Sequence, residues 1–365
     1  MIEIIFYIAC FFILITTLVV IFNFFTAPQF KRKISPYKKI KVSICIPARN
    51  EQSNIAKILN DILVQTYNEL EILVLDDNSE DNTFNIISAF SNNNKSVKVN
   101  SGKHLPSGWT GKNWACHQLS KIARGRIIIF IDADCRMSPW AVESAVAYMD
   151  SYSLDLLSVF PAQRMITISE KIIVPIMDWI LLTFLPLRFV YSSANSSFVA
   201  ANGQFIAFRR EAYNIIGGHA SVANQFVEDM ELARSIKNKN LKMMTLLGNN
   251  TVSCRMYESL NDAVDGFSKN FYPGFKISMV VFILFLIFLN LIYTAPFLFI
   301  LYNNLFLLTA IFILLQRALI SLTNSQNPVL NILFHPLQMI IMTLIGINSI
   351  YKAKRRILKW KGRKL

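Results

Sequence analysis

Acidic residues follow three apolar segments of the chain. Asp132 and Asp134 come directly after "RIIIFI", Asp76 and Asp77 follow "LEILVL", and Glu51 closes "VSICIPARNE". Aspartate is rarely buried without a partner, so carboxylates beside strand-forming residues need compensation. Hard oxygen ligands in an Asp-x-Asp pattern suit Mg²⁺ or Mn²⁺, which takes its other ligands from water and substrate phosphates. These residue types therefore predict a site for a metal-bound polyanion such as a nucleoside diphosphate.

The elements around these residues alternate between strand and helix. We predict strands at "KVSICIP", "LEILVLDD" and "RGRIIIFIDAD", with helices at "NEQSNIAKILNDILVQTY" and "SEDNTFNIISAF" between them. Strands separated by helices indicate right-handed βαβ units, and hence an α/β fold with a parallel sheet covered on both faces. Ligands bind at the carboxyl ends of such strands. Because the three acidic strand ends would repel one another there, we expect a cation or a donor-rich ligand.

Several other sites are disfavoured. "PARNEQS" has no glycine, which argues against a dinucleotide fingerprint, and "GWTGKNW" lacks the spacing of a Walker phosphate loop. The cysteines include no C-x-x-C pair, and the four histidines show no ligand spacing. This pattern fits a reducing cytosol and predicts neither a zinc site nor a structural metal. The five cysteines are Cys10, Cys45, Cys116, Cys135 and Cys254.

The hydrophobic content predicts membrane helices. Of the 365 residues, 53% are hydrophobic, and the 22 residues from Ile4 to Phe25 carry no charge. That length crosses a hydrocarbon core of about 30 Å, and no cleavage signal follows it, so we predict an uncleaved transmembrane anchor at residues 1–27. Further membrane helices are expected within residues 277–351. Ile277 to Leu315 is long enough for two helices, and Ile332 to Tyr351 for one more.

The net charge of +14 lies beside these segments. Six basic residues fall between Lys31 and Lys41 and eight from Lys352 to the end, with no acid in either stretch. The positive-inside pattern predicts that a globular domain at residues 40–276 and a basic tail at 352–365 are cytoplasmic. Contact with anionic lipid is favoured over plain solvated tails. The rest of the chain is balanced, which argues against a nucleic-acid partner.

Two membrane details stay open at this point. Three crossings after a cytoplasmic domain would leave the basic tail outside. Therefore either two or four segments cross the membrane, or one of them lies in the interface. The candidate for the interfacial position is the stretch with Gln316 and Arg317. Residues 170–191, "EKIIVPIMDWILLTFLPLRFVY", are apolar but interrupted by charges. We interpret them as an interfacial segment that guides a lipid-soluble acceptor to the cleft.

Four motifs together resemble the inverting family 2 glycosyltransferases with the GT-A (Rossmann-like) fold for nucleotide-diphospho-sugars. They are "VSICIPARNE", "ILVLDDNSEDNT", "IIIFIDADC" and "FVEDMELARSIK", in the family's order between Val42 and Lys237. With "LPSGWTGKNWACHQ", the N-terminal anchor and the closing "WKGRKL", the chain is most similar to the membrane members of carotenoid pathways, that of staphyloxanthin included, and of hopanoid pathways. The resemblance implies a GT-A domain with N- and C-terminal transmembrane helices.

The resemblance also implies roles for individual residues. Asp132 and Asp134 match the DxD motif, in which the second carboxylate holds Mg²⁺ or Mn²⁺, and Lys112 matches a basic residue near the nucleotide. Asp229, with Glu228 beside it, matches the base that takes the acceptor's proton. The residues that match the uracil and ribose segments are Pro47, Ala48, Arg49, Glu51, Asp76 and Asp77. The expected acceptor-side residues are Asn202, Gly203 and Lys269.

Structural roles remain alternatives for these residues. Asp132 and Asp134 could cap a turn, Glu228 and Asp229 could be a first-turn pair favoured by the helix dipole, and Lys112 could be a surface lysine. The stretch "DGFSKNFYPG" replaces the Q-x-x-R-W motif of processive members, with Lys269 as its cation. This departure favours the transfer of a single sugar over polymer synthesis.

The implied activity is transfer of glucose from UDP-glucose, with inversion, to an apolar acceptor. The expected acceptor is a carotenoid carboxylic acid such as 4,4'-diaponeurosporenoate, and the enzyme is expected in the cell membrane, in a complex with other pathway enzymes. One alternative is transfer to polyprenyl phosphate, a hopanoid or a glycolipid. A second alternative is an inactive membrane scaffold for a lipid pathway.

Overall fold

The computed structural model describes residues 2–34, 40–355, 359–360 and 363–364. Over these residues the chain forms two compact units. One contains Met1–Ala27, Met165–Phe189 and Met256–Leu358, and the other contains Pro28–Arg164, Val190–Arg255 and Lys359–Leu365. Residues 170–189 and 256–276, which we expected within the domain at 40–276, thus group with the helical unit. The basic stretches at 31–41 and 352–365 lie partly outside the described residues.

The described elements alternate as the sequence predicts, with additional short ones. In chain order they are α1 (Ile2–Thr26), β1 (Val42–Ala48), α2 (Ile55–Leu63), β2 (Leu70–Asp76), α3 (Thr83–Asn93), β3 (Val97–Ser101), α4 (Gly111–Ile122), β4 (Ile127–Ile131), β5 (Cys135–Met137), α5 (Ala141–Ser151), β6 (Leu156–Phe160), β7 (Ala162–Gln163), α6 (Ile168–Ile173), α7 (Pro175–Phe184), α8 (Phe189–Ser192), β8 (Phe205–Arg209), α9 (Arg210–Ile215), α10 (Glu228–Asn238), β9 (Met243–Leu247), β10 (Val252–Cys254), α11 (Leu260–Phe275), α12 (Met279–Tyr293), α13 (Ala295–Phe299), α14 (Leu305–Thr323), α15 (Pro328–Leu333), α16 (His335–Arg355), β11 (Lys359–Trp360) and β12 (Arg363–Lys364).

The main sheet of the second unit has seven strands in the order β3-β2-β1-β4-β8-β6-β9. Its strands are parallel except β8, which runs antiparallel to both β4 and β6. The expectation of an all-parallel sheet is therefore corrected at β8, since mixed sheets with one reversed strand are common in α/β folds. Because β2, β1 and β4 are parallel neighbours, their carboxyl ends meet at one edge, as predicted.

The core of this unit is apolar on both sheet faces. Every residue of β1 and β4 is buried, which explains their continuous hydrophobic runs. The helix α2 buries four residues at helical spacing, Ile55, Ile58, Leu59 and Ile62. Burial of each such side chain contributes about 1.5–3 kcal/mol relative to exposure. The sheet is therefore a rigid base for its polar edge.

A second sheet of three short strands, in the order β5-β10-β7, begins just after the DxD motif. β5 and β10 are antiparallel, and Cys135 is directly opposite Cys254. The sheet fixes the chain that leaves Asp134, because β5 starts at the next residue.

The helical unit contains, among its described residues, three helices that are long and apolar enough to cross a membrane. They are Phe6–Thr26, Met279–Phe299 and Leu305–Thr323. Gln316 of α14 is buried and donates to the Thr17 and Thr16 hydroxyls of α1 at 2.8 and 3.1 Å. Such hydrogen bonds are typical of packed membrane helices. The interfacial position predicted around Gln316 and Arg317, like the number of crossings, stays a prediction.

Candidate active site

Arg49 joins the ends of two neighbouring strands. Its buried guanidinium donates to the carbonyl oxygens of Asp77 and Asn78 at 2.8 and 2.5 Å and pairs with Glu80 at 2.7 Å. The register places Ala48, the last residue of β1, opposite Asp76 of β2. Arg49 therefore holds the loop after β2 against the end of β1.

The remaining predicted nucleotide residues line the same edge. Pro47 and Ala48 are the last residues of β1 and are buried with it. The Glu51 carboxylate accepts from Asn54 Nδ2 at 3.1 Å, and Asp76 Oδ2 accepts from the Ser79 amide at 3.1 Å. Asp76 Oδ1 is buried and has no hydrogen-bond partner among the described residues. An unpaired buried carboxylate oxygen suits a donor group from a ligand, such as a ribose hydroxyl.

Lys112 connects the DxD motif to the helix with the candidate base. Its Nζ lies 2.9 Å from Asp132 Oδ2 and 3.5 Å from Glu228 Oε1. Lys112 is on the first turn of α4, where Thr110 caps the helix by accepting from the Asn113 amide. Although burial alone would lower the pKa of Lys112, the two carboxylates hold that pKa well above its usual value. The interpretation of Lys112 as a plain surface lysine is thus wrong.

Asp229 lies on the first turn of α10 and contacts the loop before β8. Its Oδ2 accepts the backbone N–H of Gly203 at 2.8 Å, and its Oδ1 accepts that of Met230 at 2.8 Å. Asn202 positions this loop, because its amide donates to Ser158 Oγ and its side-chain oxygen accepts from Gln204 N, both at 2.8 Å. The loop thus brings a backbone donor to the candidate base.

The Asp229 carboxyl has a raised pKa. Burial is the largest cause, the neighbouring Glu228 adds to it, and Lys112 with the two backbone donors opposes it, so that the pKa rises to about 7. A carboxyl with such a pKa exchanges a proton near neutral pH, which suits a general base. Glu228 and Asp229 do lie on the first turn of α10, as the structural alternative predicts. Asp229 has its raised pKa at this same position.

A small cavity lies beside these charges, and sequence reasoning missed His219, which lines it, and Tyr213, which contacts His219. Its lining includes Lys112, Asp229 and His219. Burial lowers the pKa of His219 to about 3, so the ring is neutral, and its Nδ1 is 2.7 Å from the Tyr213 hydroxyl. His219 follows Gly217 and Gly218, whose φ angles of 78° and 53° make the predicted turn. No local sequence signal pointed from Tyr213 or His219 to this cavity.

Asp134 is half-buried just after β4, and its carboxylate lies within 4.8 Å of the Cys135 and Cys254 thiols. With Asp132, it gives this edge two carboxylates in the pattern that holds Mg²⁺ or Mn²⁺ on phosphate ligands. Lys112 Nζ pairs with Asp132 Oδ2 at 2.9 Å. The donor set therefore fits a divalent cation at Asp134.

The structure brings together most of the predicted site residues. The sheet unit contains the residues predicted for uracil and ribose, Lys112, the DxD motif, the predicted acceptor-side pair Asn202 and Gly203, and the pair Glu228 and Asp229. Lys269 is the exception, since it lies on α11 in the helical unit. Its acceptor-side role stays a prediction.

Known proteins are similar in sequence to this chain. The model of glycosyl transferase family 2 matches residues 43–215. The 4,4'-diaponeurosporenoate glycosyltransferase of Staphylococcus haemolyticus is 24% identical over 242 residues, 64% of this chain and 61% of that protein. Its namesake from Staphylococcus aureus is 26% identical over 251 residues, 67% of this chain and 64% of that protein. The match thus spans less than two thirds of each relative.

A solved structure has the same fold. A mannosyltransferase from Pyrobaculum calidifontis, in complex with GDP-Man and Mn²⁺, superposes with a TM-score of 0.59 at 17% identity, covering 96% of this chain and 98% of that one. This similarity confirms the GT-A fold expected from the sequence.

Proposed function

We propose that this chain, whose residues 43–215 match the model of glycosyl transferase family 2, transfers one glucose from UDP-glucose to a lipid-soluble acceptor at the membrane. The observation that carries the proposal is the set of contacts in which Lys112 pairs with Asp132 and Glu228 while Gly203 donates to Asp229. The set supports the proposal because Lys112, Glu228 and Asp229 line one small cavity, and Lys112 also contacts Asp132 of the DxD motif.

The donor is proposed to bind at the carboxyl edge of the sheet. Arg49 shapes the pocket for the base and ribose, and the unpaired Asp76 Oδ1 accepts a ligand hydroxyl or N–H. Pro47, Ala48, Glu51 and Asp77 complete the donor side. A Mg²⁺ or Mn²⁺ ion held by Asp134 would offset the negative charge that the leaving diphosphate gathers. Support comes from the Pyrobaculum mannosyltransferase, which is in complex with a nucleotide sugar and Mn²⁺.

Asp229 is the proposed catalytic base. Its carboxylate lies on the first turn of α10 and contacts the loop before β8. It is proposed to take a proton from a hydroxyl that attacks the sugar from the face away from the diphosphate. A single displacement of this kind inverts the anomeric centre. With a pKa of about 7, Asp229 is deprotonated in a large fraction of molecules at neutral pH. A carboxylic acid acceptor is already ionised there and needs no base.

The acceptor is proposed to be a carotenoid carboxylic acid. The names of the Staphylococcus relatives support this choice, since both act on 4,4'-diaponeurosporenoate by their names. The apolar helices would anchor the chain in the membrane, in which such a molecule dissolves. Residues 170–191 are proposed to lie at the interface and guide the acceptor, with other pathway enzymes near the same membrane.

We propose that α1, α12 with α13, and α14 cross the membrane, the three candidates by length and composition. This proposal replaces the interfacial position predicted for the stretch with Gln316 and Arg317, which belongs to α14. One crossing before the catalytic domain and two after it put both basic flanks on the same side, which the positive-inside rule identifies as the cytoplasm. The helix α16, which starts at His335, then stays on that side. With two crossings after the catalytic domain, the basic tail lies on the cytoplasmic side, and no further crossing is needed.

Release of UDP tests the proposal. The purified full chain is incubated in detergent with UDP-glucose, Mn²⁺ and either a carotenoid acid, a polyprenyl phosphate or buffer, and products are identified by mass spectrometry. We expect UDP and a glucosyl ester with the carotenoid acid, and a loss of at least about 100-fold in Asp134→Asn. Glu211→Gln, an exposed change in the same unit, is the control. Glucosyl phosphate lipid as the product would identify the other acceptor class, and no UDP with any acceptor would favour a scaffold.

A further inference from the structure

Two cysteines distant in sequence lie beside Asp134, the carboxylate proposed to hold the donor's cation. Cys135 and Cys254 face each other across the antiparallel pair of β5 and β10. One carboxylate oxygen of Asp134 and the two Sγ atoms all lie within 4.8 Å of one another. Two sulfur ligands and one oxygen ligand therefore surround a single point next to the DxD motif.

A single neighbouring residue holds both thiols in place. Gln204 Nε2 donates to Cys254 Sγ at 3.0 Å, and the Gln204 carbonyl accepts from the Cys135 thiol at 3.4 Å. Both cysteines are buried, at 1% and 0% exposure, whereas Asp134 is half-buried. The ligand atoms are thus positioned by the sheet and by Gln204.

We propose that Asp134, Cys135 and Cys254 form a binding site for a thiophilic divalent cation, with Zn²⁺ as the expected ion. Zinc binds thiolate at about 2.3 Å and carboxylate at about 2.0–2.2 Å in a tetrahedron, so ligand atoms of one ion lie about 3.5–4 Å apart. Shifts of about 1 Å or less bring the three groups to that spacing. Water or a phosphate oxygen takes the fourth position, and the two thiol protons pass to the solvent.

This site selects metals by softness. Mg²⁺ and Mn²⁺ prefer oxygen ligands, whereas two thiolates favour zinc or cadmium. Because Asp134 is common to both sites, a bound zinc ion takes away the carboxylate that the donor's cation needs. Zinc is therefore an inhibitor of sugar transfer that Mn²⁺ relieves poorly. This consequence rests on the proposed function, whereas the binding itself does not.

Cadmium spectroscopy tests the binding without turnover. The full chain in detergent, kept reduced by a phosphine, is titrated with Cd²⁺ while thiolate-to-metal charge-transfer absorption is recorded. We expect a band that saturates at one equivalent, and that Cys135→Ala and Cys254→Ala each abolish its tight component. Cys45→Ala, which removes a fully buried cysteine from β1 of the same unit, should keep the band. Asp134→Asn should weaken Cd²⁺ affinity at least about 10-fold while the two-thiolate band remains.

The outcomes separate this site from the proposed function. No band in wild type, or an equal band in Cys135→Ala and Cys254→Ala, overturns the metal site whatever the activity. If an alanine variant does not fold, Cys135→Ser and Cys254→Ser keep the side-chain size and replace it. Zinc inhibition that is unchanged in a folded Cys254→Ser chain with intact Mn²⁺-dependent UDP release overturns the competition. A normal band in a chain without UDP release leaves the site standing and removes only the proposed enzyme function.

Discussion

Gly203 donates its backbone N–H to Asp229 Oδ2 at 2.8 Å and thereby joins the loop before β8 to the first turn of α10. A methyl group at Gly203 would lie 3.1 Å from Glu228 Oε1 and 3.2 Å from Lys112 Nζ. The charged groups of the site therefore close around a position that has room for glycine and little else. In this arrangement the protonation of Asp229 depends on Glu228, Lys112 and the backbone N–H of Gly203.

Replacing Asp229 with asparagine should separate two classes of acceptor. Asparagine keeps the size and accepts from Gly203 N but cannot take a proton, so transfer to an alcohol should fall at least about 1,000-fold. Transfer to a carotenoid carboxylate, which is already ionised, should fall about 10-fold or less. Product formation with matched hydroxyl and carboxyl acceptors measures both. Equal losses with the two acceptors would contradict the assignment of Asp229 as a base.

Replacing Lys112 with methionine should move the pH dependence of the reaction. Transfer to an alcohol should rise with pH through about 7 as Asp229 loses its proton. Lys112 lowers the Asp229 pKa, so Lys112→Met should shift this rise upward by about one pH unit or more. Rates measured from pH 5.5 to 9, an interval of about two units on either side of 7, give the shift.

The control for this shift is Lys121→Met, which removes an exposed lysine from the last turn of the same helix. Its pH profile should match that of the wild type. An unchanged profile in Lys112→Met would show that Lys112 does not set the charge of Asp229. Restoration of the wild-type profile by Lys112→Arg would confirm that the positive charge is responsible.

Asp229 should also make the protein less stable as the pH rises. Its carboxyl has a pKa of about 7 in the folded chain and a value of 3.8 in the absence of the fold. Between these values the folded state binds more protons than the unfolded state, so the free energy of unfolding falls as pH rises. Asp229→Asn removes this pH-dependent loss of stability, because asparagine does not ionise. Its melting temperature should equal that of the wild type near pH 4 and exceed it by several degrees at pH 8.

Thermal unfolding in detergent across this pH range measures the difference, with Glu211→Gln as the exposed control. The control should follow the wild type at every pH. A difference between Asp229→Asn and wild type that does not grow between pH 4 and 7 would place the Asp229 pKa near its ordinary value. It would also remove the argument for a base at neutral pH.

The edge of the sheet could be predicted from the sequence because its signals are local. Apolar runs that end in Asp76 and Asp132 define strands, and parallel neighbours necessarily bring those ends together. The Cys135 and Cys254 pair could not be predicted, since it depends on the pairing of two three-residue strands far apart in the chain. Local spacing rules for metal sites do not detect such pairs.

In the helical unit, too, a contact between residues far apart in the chain could not be predicted from the sequence. The charged residues in 170–191 led to the prediction of an interfacial segment. Asp178 is half-buried and accepts a hydrogen bond from Gln326. Burial raises the Asp178 pKa to about 7. Only the packing of α7 with the chain after α14 brings these two residues together, and no periodicity encodes it. The interfacial role of the segment is therefore a question for labelling.

The membrane arrangement predicts which positions face the outside of a cell. Leu301, between α13 and α14, is 89% exposed and should be extracellular if α12 with α13 and α14 each cross once. A membrane-impermeant maleimide should label Leu301→Cys in intact cells more strongly than the wild type, whose cysteines are buried except for the half-buried Cys10 of α1. Glu211→Cys, in the catalytic unit, and Asp178→Cys should react only after permeabilisation. Labelling of Glu211→Cys in intact cells would place the catalytic unit outside, and labelling of Asp178→Cys there would exclude a cytoplasmic interface for residues 170–191.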